Sequence, residues 1–286
     1  MPVTQISAYH RPQSLDAAWR LIRDGGNSTR LLGGGTDLVV NCPEDVHELV
    51  DLASTGLRYI KAGEDWAQPG EVRIGAMATF TDLLEHPATT EHAGGVLREM
   101  LSHVGSVLHR NGATVGGHLA RGRLSDVVPV LVALDATVVI FDGEHHELSL
   151  DEYLTRERAS HVVTEARLPA LPAGSLAAFT RFSRAAFDHA LLNACCRCDR
   201  DQGQVSTARV VVGESGVLGR RVAAAEDALV GRPLTTEAIG AAAAVARESL
   251  DTRGDWVATA GYRRHLAGVA VERCLRSIAD RSGGAT

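Results

Sequence analysis

The chain has 286 residues, 45% of them hydrophobic, enough apolar material for one large or two modest domains with a buried core. A formal net charge of −6 argues against nucleic-acid binding, which leaves a basic footprint. Residues 1–7 lack a basic stretch followed by an apolar run, so no secretory signal is expected, and the longest apolar run, residues 127–134, is too short to cross a bilayer. The expected location is the cytoplasm, and five cysteines, an odd number, agree with a reducing compartment.

In chain order, Ser14 is placed to cap a helix whose Leu15, Ala18, Trp19 and Ile22 share one face and which stops at Gly25. Residues 29–32 read as a strand that feeds a glycine cluster. A second strand is predicted at 71–75, followed by a helix through Glu85 that opens at Thr79 or Thr81. Residues 96–107 are apolar enough for one continuous helix and residues 127–134 for a buried one, with a strand at 137–141. The cluster Pro169-Ala170-Leu171-Pro172-Ala173-Gly174 reads as a domain boundary. Beyond it, strands are predicted at 177–182, 190–199 and 207–213, with a turn at Asp201-Gln202-Gly203-Gln204. Helices follow near 222–230, 236–250 and 256–278. The fold class is α+β, with a first domain over residues 1–172, subdivided near residue 54, and a second over residues 173–286.

Two segments carry the chemistry. Leu31-Leu32-Gly33-Gly34-Gly35-Thr36-Asp37-Leu38 is an apolar strand end, a glycine turn, a hydroxyl and then a helix-like restart, with Thr36 or Asp37 as the candidate opener. Arg110-Asn111-Gly112-Ala113-Thr114-Val115-Gly116-Gly117-His118-Leu119 repeats the pattern, and Gly116 is expected to need a positive φ. Glycine lets main chain approach a phosphate closely, so successive amides can point into one concavity, and threonine adds a hydroxyl donor. Each cluster alone reads first as a plain tight turn. Two in one domain point to one dinucleotide. The Rossmann fingerprint fits poorly, because Leu38 stands where its third glycine belongs. The P-loop fits poorly too, since His118-Leu119 replaces its lysine and hydroxyl residue. FAD held by a non-Rossmann domain is the preferred ligand.

These segments resemble the FAD-binding medium subunit of molybdenum hydroxylases, the family of the carbon monoxide dehydrogenase flavin subunit and the xanthine dehydrogenase flavin domain. That family reads Ala-Gly-Gly-Thr-Asp-Leu at the first loop and Arg-Asn-x-Gly-Thr-Ile-Gly-Gly-Asn-Leu at the second. Further matches are Tyr9-His10-Arg11-Pro12, Val72-Arg73-Ile74-Gly75-Ala76-Met77-Ala78-Thr79, Asp126-Val127-Val128-Pro129, Arg184 with Asp188-His189-Ala190, and Tyr262-Arg263. Departures are Gly33 for alanine, Ala113 for glycine, His118 for asparagine, Arg181 for a frequent lysine, and a less acidic, shorter stretch Arg121-Gly122-Arg123-Leu124-Ser125. The cysteine-rich insert that some relatives use for an iron–sulfur cluster is missing here.

The resemblance implies a two-part FAD-binding domain of the vanillyl-alcohol-oxidase type and a smaller α+β C-terminal domain with a three-stranded sheet and helices. It implies an electron-transfer subunit. A partner chain holding molybdopterin oxidises the organic substrate, an iron–sulfur chain relays electrons, and this chain collects them on FAD for NAD, oxygen or a quinone, typically in a dimer of heterotrimers. It places Leu32, Gly33, Gly34, Gly35, Thr36, Asp37 and Leu38 at the cofactor, together with Thr114, Val115, Gly116, Gly117 and His118. Asp126 falls on the ribityl or ribose hydroxyls, and Ala76, Val104, Val163 and Arg181 lie around the rings.

No catalytic or metal-ligating residue is assigned. Cys195-x-x-Cys198 is half of a metal pattern without a second pair, and with Cys196 it reads as the core of a buried strand. His145-His146 reads as an exposed turn, and no nucleophile with its base stands out. Two other readings stay open: a stand-alone FAD-dependent oxidoreductase acting on a small metabolite, and a non-catalytic protein that keeps the fold.

Overall fold

The computed structural model describes residues 5–63, 69–122, 125–156, 160–185, 188–214 and 217–283. Residues 1–4 of the N-terminal stretch, and Arg123 and Leu124 of the shortened stretch, lie outside them. The chain forms two compact units: Met1–His86, Gly105–Gly122 and Ala136–Ala170 make the first, and Pro87–Val104, Arg123–Asp135 and Leu171–Thr286 make the second.

The first unit opens with strand β1 (Ala8–His10), helix α1 (Leu15–Gly25), strand β2 (Thr29–Leu32) and strand β3 (Glu48–Asp51). The three strands are parallel, in the order β1-β3-β2. Ser14 caps α1 by accepting the Ala17 amide, and the apolar stripe buries Ala18 and Ile22 while Trp19 meets Phe141 edge-on at 5.9 Å. Strands β4 (Ile60–Ala62) and β5 (Val72–Gly75) follow. Thr79 then opens helix α2 (Phe80–Glu85) through a reciprocal capping box with Asp82.

Helices α3 (Pro87–Thr90) and α4 (Val96–Ser102) belong to the second unit. The continuous helix expected over residues 96–107 is broken. After α4, Gly105 takes φ +53°, and Ser106 caps a new helix α5 (Val107–Gly112) by accepting the His109 amide. The apolar composition hid this break, because one left-handed glycine and one serine suffice to end a helix and restart it.

Helix α6 (Val115–Ala120) stays in the first unit, and helix α7 (Val127–Ala133), buried all round, lies in the second. Strand β6 (Thr137–Phe141), strand β7 (His145–Ser149), helix α8 (Leu150–Thr155) and strand β8 (Val162–Leu168) complete the first unit. Its larger sheet is antiparallel, in the order β4-β5-β8-β6-β7. His145 and His146 are exposed, but they sit in edge strand β7 and not in a turn, because pairing with β6 extends them.

The second unit is built on strands β9 (Leu176–Phe182), β10 (Leu192–Asp201), β11 (Gln204–Glu214) and β12 (Val217–Arg221). The three expected strands are β9 to β11, and β12 extends the sheet in the order β12-β11-β10-β9. Gln202 and Gly203, at φ +48° and +83°, close the hairpin between β10 and β11. Alternation sorts the sheet into two faces. Ala178, Leu192, Ala194, Cys196, Cys198, Val210 and Val212 pack with helices α9 (Ala223–Asp227), α10 (Thr236–Ser249) and α11 (Ala260–Gly283). The other face carries Arg181, Asn193 and Arg197 and meets the α4 and α7 segments; the Phe179 amide donates to Glu99 and Arg197 donates to the Ala133 carbonyl. Helix α11 starts at Ala260, later than expected, because the Asp255 carboxylate accepts the amides of Val257 and Ala258 and holds them in a turn. Among the described residues no helix is long and apolar enough to cross a membrane.

Candidate cofactor site

Chain leaving β2 enters the first glycine segment at Gly33. No helix restarts at Thr36 or Asp37. Instead the Val39 amide donates to the Gly35 carbonyl at 3.1 Å, and the Asn41 amide and side chain both donate to Asp37. Gly35 takes φ +71°, the one place in this segment where the left-handed region demands glycine. Among the described residues, the consecutive amides of Gly34, Gly35 and Thr36 have no acceptor. Gly34 needs glycine for another reason. A Cβ there would stand 1.4 Å from the Gly112 carbonyl oxygen, so the two segments touch backbone to backbone.

The second segment is helix end, one extended step and helix start. Thr114 caps α6, its hydroxyl accepting the Gly117 amide at 3.2 Å. The Val115 amide donates to the Ala78 carbonyl, that of Gly116 to Ala76 at 2.8 Å, and that of His118 to the Thr114 carbonyl. Gly116 therefore departs from the expectation of a positive φ: it lies inside α6, and glycine is required because a Cβ would come 2.6 Å from that of Ala76. The His118 ring is buried and packs at 4.6 Å on Phe80.

These contacts draw Leu32, Ala76 and Val163 into the same unit as both glycine segments. The Ala76 amide donates to the Thr164 carbonyl next to buried Val163, and the Leu32 side chain lies 3.6 Å from where a Gly35 Cβ would be. Two neighbours were not assigned to the site from the sequence. Met77 places its sulfur 3.9 Å from where a Gly33 Cβ would be, and Phe80 backs His118. Their signal was the run Gly75 to Phe80, which leaves β5 and opens α2 beside Thr114.

Asp126, Val104 and Arg181 lie in the second unit. Asp126 holds the N-cap position of α7, yet its side chain caps nothing. It accepts from Asn193 Nδ2 at 2.7 Å and faces Arg181 Nε at 3.5 Å. Arg181 also donates to the carbonyls of His103 and Asp188. The motif residues further along are structural anchors. Arg184 pairs with Asp188 and holds its carboxyl below the usual range, and buried Arg263 ties the Leu191 carbonyl to Asp255.

The cysteines form a different environment. Cys195, Cys196 and Cys198 are buried, and Cys274, distant in sequence, is hydrogen-bonded to Cys196, which together with burial pushes that thiol well up. Burial raises Cys198 to about 12. Thiols held in this state are poor nucleophiles. Among the described residues no group of His, Cys, Asp and Glu is arranged to hold a metal ion.

Three consecutive open amides on a glycine turn, braced by a segment whose amides from Val115 to His118 are satisfied, fit an anionic diphosphate.

Comparison with known proteins agrees. Residues 4–171 match the FAD binding domain in molybdopterin dehydrogenase, and residues 177–278 match the CO dehydrogenase flavoprotein C-terminal domain. The 6-hydroxypseudooxynicotine dehydrogenase complex subunit alpha of Paenarthrobacter nicotinovorans is 30% identical, the alignment covering 94% of this chain and 93% of that one. The carbon monoxide dehydrogenase medium chain of Hydrogenophaga pseudoflava is 27% identical over 94% and 96%. A solved structure of carbon monoxide dehydrogenase from that organism superposes with a TM-score of 0.87 over 96% of this chain and 98% of its own, at 27% identity. Quinoline 2-oxidoreductase from Pseudomonas putida 86 superposes at 0.83 with 25% identity over 96% of both chains. With both halves matched in order, the chain belongs to the family of FAD-binding subunits of molybdenum hydroxylases.

Proposed function

We propose that this chain takes electrons from an iron–sulfur subunit and passes them to an external acceptor such as NAD, oxygen or a quinone. A molybdopterin subunit would oxidise the organic substrate, in a cytoplasmic dimer of heterotrimers. The relatives named as a complex subunit and a medium chain support a multi-subunit setting. Bound FAD supplies the chemistry at this junction, accepting electrons singly and releasing one or two.

The observation that carries this reading is the row of open amides at Gly34, Gly35 and Thr36. We assign the diphosphate to the segment from Gly33 to Asp37, between Leu32 and Leu38, with the Thr36 hydroxyl as a further donor. Thr114, Val115, Gly116, Gly117 and His118 form the wall behind it, contributing close packing more than amides, since the amides of Val115, Gly116, Gly117 and His118 are already bonded. In the second unit Asp126 would accept the ribityl or ribose hydroxyls. Ala76, Val104, Val163 and Arg181 would shape the surroundings of the flavin rings.

The test is purification of the native protein with its partners. FAD, iron and molybdenum should appear in one peak with two further chains. A peak with FAD but without iron, molybdenum or a second chain would favour a lone oxidoreductase, and failure to bind added FAD would sink the proposal.

A further inference from the structure

In the second unit, the chain passes from α3 to α4 through the single 3-10 turn His92–Gly94. Three successive residues there are left-handed: Ala93 at φ +50° and ψ +38°, Gly94 at φ +75° and Gly95 at φ +89°. The two glycines adopt this region freely, but Ala93 is strained in it by its Cβ. The turn presses on β9, since a Cβ at Gly94 would lie 2.7 Å from Leu176 Cδ2. Arg281 of α11 holds it there by donating to the carbonyls of Gly94 and Ala177.

The half-buried His92 ring has its Nε2 shut off from solvent, with no hydrogen-bond partner among the described residues. Neutral imidazole can present a bare lone pair at that position. Imidazolium carries hydrogen on both nitrogens and would bury a donor with nothing to accept it. Arg197 opposes the proton as well. It is permanently charged and buried on β10, opposite Ala177 in the strand register, and its own Nε also lacks a partner among the described residues. The other charged groups on the surrounding elements are Asp199 of β10 and Asp135 after α7, both paired with Arg197, then Glu99 of α4, which accepts the Phe179 amide, Arg281 of α11, and Glu91 beside the turn. No carboxylate among them reaches Nε2. Burial first, and the Arg197 guanidinium second, hold the imidazole below its ordinary value of 6.5.

We propose that His92 is an acid-sensitive latch on the segment from α3 to α4: neutral, it lets the turn sit on the sheet of the second unit, and protonated, it releases the turn together with the start of α4. The released turn accepts the proton more readily than the closed one. Closure is therefore at full strength above about pH 6.5 and weakens as the pH falls below that value. The latch lies within one unit and does not depend on the FAD reading.

Hydrogen–deuterium exchange of the full chain, corrected for the intrinsic pH dependence of exchange, reads this opening. As the pH is lowered from about 7.5 to about 5.5, the amides of Val96–Ser102 should exchange faster by up to roughly 10-fold per pH unit below 6.5, the limit for one proton, while those of β10 and β11 stay unchanged. His92→Gln and His92→Leu, neither of which titrates, should each abolish the acid response, and their different polarity leaves one to decide if the other misfolds. The His92 ring signal in an NMR titration, assigned by its loss in His92→Gln, should move with a midpoint below 6.5. A flat response in wild type, an acid response that persists in either folded variant, an equal response in β10 and β11, or a His92 ring that titrates at or above 6.5 would overturn the proposal.

Discussion

The two glycine segments carry similar residues and end in opposite states. In residues 33–37 glycine keeps amides open, with Gly34 exposed and Gly34, Gly35 and Thr36 lacking acceptors among the described residues. In residues 112–118 glycine lets backbones press together, with Val115, Gly116 and His118 buried and their amides spent on Ala78, Ala76 and Thr114. Glycine in a sequence therefore signals close approach without saying what approaches. The first segment leaves donors open; the second spends them on the protein.

Variants in the two segments should fail differently, and that difference tests the comparison. The largest effect is expected for Gly34→Val, because its side chain would start 1.4 Å from the Gly112 oxygen, where the segments touch. Separating them should cost about 3 kcal/mol or more and lower FAD affinity by at least roughly 100-fold. Full flavin occupancy in a folded Gly34→Val protein would show that the contact is dispensable.

Gly116→Val comes next. Its Cβ meets Ala76 at 2.6 Å in a buried helix start, so urea melts of the cofactor-free protein should show a loss of about 1–3 kcal/mol. FAD affinity should fall roughly 10-fold with it, and saturating FAD should recover much of the lost stability by mass action. An unchanged melt with weakened FAD binding would instead put a phosphate directly on Gly116.

Thr114→Ala removes the cap of α6 and should destabilise the cofactor-free protein by about 1 kcal/mol. Thr36→Ala should do the reverse. Its hydroxyl bonds nothing among the described residues, so melts should be unchanged while the FAD dissociation constant rises about 5-fold, roughly 1 kcal/mol. If both threonine variants lower stability equally, the two segments do not differ as described. The smallest effect belongs to Cys198→Ser, outside both segments, where the flavin-to-protein absorbance ratio should match wild type.

Much of the fold was legible where a residue acts on its own neighbours. Ser14 and Thr79 open helices because a side-chain oxygen reaches an amide three residues on, and the Gln202-Gly203 turn closes a hairpin by local φ alone. The short strands β1, β3 and β4 were not legible. Each has three or four residues, and their pairing comes from partners as distant as Leu49 opposite Tyr9. The break at Gly105-Ser106 was also missed, since an apolar run on both sides carries a helical average across it.

The sequence by itself determined that two glycine and threonine segments occur in the right order for a dinucleotide, and that three cysteines share one buried strand. Local composition suffices for both, because backbone freedom and strand burial are properties of a few consecutive residues. Only the tertiary structure decided which amides remain open, that Gly116 answers to Ala76, and that Asn193 holds Asp126 from 67 positions away. Hydrogen-bond satisfaction is settled between segments distant in the chain, and a residue's type records what it can donate, not which partner has already taken it.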